Sequence, residues 1–126
     1  MFTINALSRT PVYEQIVDQI EKLISAGILK EGEQLPSVRS LSIQISVNPN
    51  TIQKAYGELD SRGITGSVPG RGCFVMPNAR ERIKSRAKEK LSALTALVEE
   101  LLQAGVSRED IIKTVDSITS KKEESK

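Results

Sequence analysis

Two helix starts stand close together in this chain, Ser37 behind Pro36 and Asn48 ahead of Pro49, and no other feature constrains the fold as much. Serine and asparagine cap helices because their side-chain oxygens accept the unpaired amides of the first turn, and proline suits the first helical position, where no amide is needed. The spacing therefore predicts a short helix in "VRSLSIQIS", a break at "ISVNPN", and a longer helix through "NPNTIQKAYGELDSRG" that stops at a left-handed Gly63. Val38, Leu41 and Ile45 fall inward in the first, and Ile52, Ala55, Tyr56 and Leu59 repeat at i, i+3, i+4 and i+7 in the second. Another helix precedes them. Pro11 opens it as first residue with Thr10 as cap, and Val12, Ile16, Ile20, Leu23 and Ile24 make one apolar side up to Gly27. The following "ILKEGEQLPS" reads as a turn-rich connector.

After Gly63 the helical period gives way to two β-prone runs, "ITGSV" and "CFVM", around "PGRG". They predict a hairpin with Arg71 at its tip between Gly70 and Gly72. Helices followed by such a hairpin make residues 1–78 a winged helix-turn-helix, mainly α with a small β-hairpin wing. Asn78 is the expected cap of a long helix from Ala79 to Ala104, whose stripe of Ile83, Ala87, Leu91, Leu94, Val98 and Leu101 is widened by Leu97 and Leu102. Gly105 ends it, and Ser107 with Asp110 starts a shorter helix carrying Ile111, Ile112, Val115 and Ile118. Residues 79–120 are thus expected to form a two-helix hairpin, and 121–126 a polar tail. The winged region already covers its own stripes, so those from Leu91 to Ile118 need a second chain, and a homodimer is expected.

There is no histidine, and Cys73 is the only cysteine. That removes a disulfide framework, a Cys/His metal cluster and a histidine-activated nucleophile; no cofactor, metal or enzymatic activity is expected. Cys73, between Gly72 and Phe74, reads as a small strand residue rather than a redox sensor. The start "MFTINALSRTP" has no signal-peptide pattern, and no apolar run approaches the ~20 residues of a membrane span, so a cytoplasmic protein with no membrane partner is expected. Residues 1–78 carry seven bases against seven acids, so any affinity for nucleic acid must come from placement.

Opposite the apolar stripe of the "NPNTIQKAYGELDSRG" helix lie Asn50, Lys54 and Gly57, with Gln53 to one side. A solvated polar face accounts for Lys54 but not for a mid-helix glycine, which costs about 1 kcal/mol relative to alanine. A helix laid in the major groove accounts for all of them. Asn50 and Gln53 have the paired donor and acceptor that suits adenine, Lys54 offers charge to guanine or phosphate, and Gly57 lets the backbone approach. Arg39 stands in the first turn of its helix, where the dipole disfavours a cation, but beside the free amides around Ser37 it makes a phosphate clamp. Arg71 is either an ordinary turn residue or a wing arginine reaching a minor groove. The bases Arg80, Arg82, Lys84, Arg86, Lys88 and Lys90 either add long-range attraction to DNA or form a solvated face.

The run from Pro11 to Val75 resembles the DNA-binding domain of the GntR family of bacterial transcription regulators, with "LPSVR", "VNPNTIQKAY", "LDSRG" and "GRGCFV" in the family's order and spacing. The short helical remainder is similar to the YtrA-like branch. The resemblance implies a homodimeric repressor on a near-palindromic operator, often near genes for ABC transporters. It places DNA contacts on Ser37, Arg39, Asn48, Asn50, Thr51 and Gln53, and on wing residues Gly70, Arg71 and Gly72. A small-molecule effector, if there is one, is unidentified; two helices alone cannot wall a pocket of a few hundred Å³. The rival reading is a winged domain used for protein contact without an operator.

Overall fold

A computed structural model describes residues 2–124. The elements run α1 (Val12–Ser25), α2 (Val38–Ile45), α3 (Pro49–Ser61), β1 (Thr65–Val68), β2 (Gly72–Val75), α4 (Ala79–Lys88), α5 (Leu91–Gln103) and α6 (Arg108–Glu124). Two compact units divide between Arg86 and Ala87. The expected boundary after residue 78 falls earlier, because Ala79 is fully buried and Ile83 packs against the same core.

That core is built from the predicted stripes. Ile16, Val17, Ile20 and Ile24 of α1, Leu41 of α2, and Ile52, Ala55 and Leu59 of α3 are essentially inaccessible to solvent, and α3 packs against both earlier helices. Ser37 accepts from the Ser40 amide at 3.0 Å, and Asn48 from the Asn50 amide at 2.8 Å, so both predicted caps form. Ser46 takes the left-handed turn between the helices at φ 54°. The phenol of Tyr56 donates to the Pro36 carbonyl at 2.7 Å, tying the middle of α3 to the entry of α2. Removing it strands that carbonyl, so Tyr56→Phe is expected to cost about 1 kcal/mol, read from the denaturant midpoint at constant slope.

Several local expectations give way to side-chain competition. Helix α1 starts at Val12 with Pro11 as its cap position, and Thr10 makes no side-chain cap; instead the Gln15 side-chain amide donates to the Thr10 carbonyl at 2.9 Å. Asn78 is left-handed, φ 67°, and its amide donates to the Glu31 carboxylate at 2.9 Å, so Glu31 supplies the negative charge at the start of α4. The long helix expected over 79–104 is interrupted at Glu89 and Lys90, where the Ser92 hydroxyl donates back to the Glu89 carbonyl at 3.0 Å. The last helix continues to Glu124, through four of the residues expected as tail; residues 125–126 lie outside the described ones.

β1 and β2 pair antiparallel with Thr65 opposite Val75 and Val68 opposite Gly72. The connector before α2 joins them, which the sequence did not announce. The Leu35 amide donates to the Cys73 carbonyl at 2.8 Å, the Val75 amide to the Glu33 carbonyl at 2.9 Å, and the Gly32 amide to the Val75 carbonyl at 2.8 Å. The wing is therefore edged by residues 32–35 as well as by its own turn.

The second unit buries little. No residue of α5 is buried, Val98 and Leu101 are only half-buried, and Leu91, Leu94, Leu97 and Leu102 are about half exposed. On α6, Ile111 is half-buried, while Ile112, Val115 and Ile118 are exposed. The turn between them follows the predicted signals, with Gly105 at φ 93° and Ser107 accepting from the Asp110 amide at 3.1 Å.

Candidate nucleic-acid interface

The exposed side of α3 opens onto a cleft of about 440 Å³ whose far wall is the wing. Ser37 at the start of α2, Gln53 and Gly57 on α3, and Gly70 and Gly72 on the hairpin all line it. Five of the residues expected to matter for DNA, or for close approach to it, are thus brought to one concavity from three elements. A Cβ added to Gly57 would meet no atom within 4 Å, so no neighbour inside the protein requires glycine there.

Asn50 is exposed in the first turn of α3; its amide is taken by Asn48, and its side chain faces solvent. Asn48 is also exposed, but its carboxamide oxygen is committed to the cap. Thr51 is half-buried, with its amide 3.0 Å from the Asn48 carbonyl. Lys54 is turned toward α1, its ammonium 4.1 Å from the centroid of the Tyr13 ring, so in the free chain a cation–π contact occupies it. Arg39 and Arg71 are exposed and make no ion pair among the described residues.

Arg62 behaves differently. Its guanidinium bonds Glu21 of α1 and Glu58 of its own helix, the latter at 2.9 Å. Burial works against its charge, but the two carboxylates outweigh it and hold the group above its ordinary pKa. It is a brace between α1 and α3 and does not itself line the cleft.

Two residues not singled out by the sequence organise the cleft. Asp60 receives the Thr65 hydroxyl, the Ser67 hydroxyl at 2.7 Å and the Cys73 thiol at 3.7 Å, which fastens the base of the wing to α3. Gln34 donates to the Arg71 carbonyl at 2.8 Å. Burial pushes the Cys73 thiol up from its usual pKa, so at neutral pH it stays a protonated, poorly reactive donor, in keeping with a strand residue.

A helix-turn-helix with a polar, glycine-bearing face on its second helix, flanked by a hairpin carrying an unpaired arginine, defines a winged helix-turn-helix DNA-binding protein. Residues 12–75 match the family described as "Bacterial regulatory proteins, gntR family". The chain is 37% identical over 121 residues to the HTH-type transcriptional repressor YtrA of Bacillus subtilis, covering 95% of this chain and 93% of that one. A crystal structure of a transcriptional regulator from Oenococcus oeni superposes with a TM-score of 0.73 at 34% identity, covering 94% of this chain and 99% of the other. The AraR DNA-binding domain, crystallised with its operator ORX1, superposes at 0.53 with 35% identity, over 58% of this chain and 90% of that one. The chain belongs to the GntR family of bacterial transcription regulators. Its family and relatives are regulators of transcription, not enzymes. No helix among the described residues is long and apolar enough to cross a membrane.

Proposed function

We propose that this chain is a cytoplasmic, sequence-specific repressor that binds a near-palindromic operator as a homodimer. The observation that carries the reading is the concavity between α3 and the wing, lined by Ser37, Gln53, Gly57, Gly70 and Gly72, with Asn50, Arg39 and Arg71 exposed around the same elements. Asn50 and Gln53 supply base-edge chemistry, Arg39 with the unpaired first-turn amides of α2 holds phosphate, and Arg71 enters the neighbouring minor groove. The bare position at Gly57 gives the DNA room at the helix surface. The helical region of residues 79–120 serves dimerisation, because the apolar side chains of its α5 and α6 stay largely exposed in a single chain. A second copy covering Leu94, Leu97 and Leu102 removes that exposure and sets two reading helices in two-fold relation.

Selection of bound duplexes from a random pool tests this directly. The expected product is a pair of inverted half-sites whose centres lie about 10 base pairs, or one helical turn, apart. Binding should weaken steeply with salt in proportion to the phosphates contacted. Recovery of no preferred sequence over competitor duplex would leave the winged domain as a protein-contact module. Mapping the recovered site onto the genome tests control of an ABC transporter operon, which the family resemblance implies.

A further inference from the structure

The connector residue Gln34 reaches across the wing. Its backbone bridges to Phe74, and its side-chain amide donates to the Arg71 carbonyl at 2.8 Å, spanning 37 positions of sequence. Gly72 makes this reach feasible: at φ 116° it adopts a conformation that L side chains rarely take, and a Cβ there would stand 2.5 Å from the Gln34 Nε2. Two separate features, a hydrogen bond and a missing side chain, therefore serve the same approach. From them we infer that Gln34 is a positioning residue that fixes the wing tip, so that the Arg71 guanidinium meets DNA at a set place. This rests on the reading of the wing as a DNA contact.

The chemistry is a neutral amide held against a carbonyl at the exposed end of a short hairpin. Water competes for both partners there, so the bond adds little to global stability. Its effect falls on the hairpin tip, where Gly70 and Gly72 leave the backbone free to take many conformations and the Arg71 amide is held by the Val68 carbonyl at 2.9 Å. Anchoring the Arg71 carbonyl from outside the hairpin lowers the conformational entropy lost when the arginine is immobilised on DNA.

A double-mutant cycle in the full-length protein tests the inference, with a labelled A·T-rich duplex as probe because its narrow minor groove attracts guanidinium groups. Gln34→Met keeps the length of the side chain without its donor, and it should weaken binding about three- to tenfold, the range that ordering one freed side chain costs. In an Arg71→Ala background the same substitution should cost nothing further. Gln34→Arg, which restores N–H donors, should recover binding in the parent by more than it does with Arg71 replaced. Thermal unfolding of Gln34→Met should match the parent. Equal losses in the two backgrounds, or no loss in the parent, overturn the inference while leaving the DNA reading in place. A null effect of Arg71→Ala overturns it together with the wing contact, and a parent protein that binds no duplex removes the DNA reading itself.

Discussion

A chain stopped after Arg86 is expected to fold, to sediment as a monomer and to lose about 10²–10⁴ in operator affinity, because the second half-site is then no longer bound intramolecularly. The fold should survive because every residue in the buried core lies between Ile16 and Ala79, and Ile83 packs against it from the same side of the cut. The affinity should fall because what is removed is the exposed apolar set on α5 and α6. In the full chain, Leu94→Asp is expected to mimic truncation, since it places a charge where a second copy would have to exclude water. Sedimentation and half-site titration read the two effects separately. A Leu94→Asp chain that remains a dimer with full operator affinity would move the interface elsewhere.

Asn50→Ala and Gln53→Ala are each expected to cost about 1–3 kcal/mol on the selected operator and to relax the preference at one position per half-site. Neither change should unfold the protein, because the Asn50 group that holds the helix start is its backbone amide and Gln53 is exposed. Arg39→Ala should instead weaken operator and random duplex alike and flatten the salt dependence, as loss of a phosphate contact does. Competition titrations against random duplex at two salt concentrations separate the patterns. If Asn50→Ala lowered specific and random binding equally, base reading would not lie on that residue.

Much of the winged unit was legible because its signals are local. The caps at Ser37 and Asn48, the stop at Gly63 and the stripe from Ile52 to Leu59 each depend on residues within a turn or two, and each formed as expected. The exposed face of α3 could be read for the same reason. What escaped notice was long-range or a matter of competition. Nothing near Gln34 in sequence reveals that it will meet Arg71, and nothing near Asp60 that three hydroxyl and thiol donors will converge on it. The interruption before Leu91 falls in a stretch free of glycine and proline, where helical periodicity gives no warning. Lys54 illustrates the other limit: helical geometry put it on the polar face, but its flexible stem let the ammonium settle on a ring of α1.

The pairing of residues 32–35 with the second wing strand bears on the order in which the chain assembles. Those amides and carbonyls meet across about forty residues, and closing a loop of that length carries an entropic cost that local helix formation does not. The loop so closed contains α2 and α3 whole. The helices should therefore form early and the wing later. Opening it would release both ends of the chain segment that carries α2 and α3.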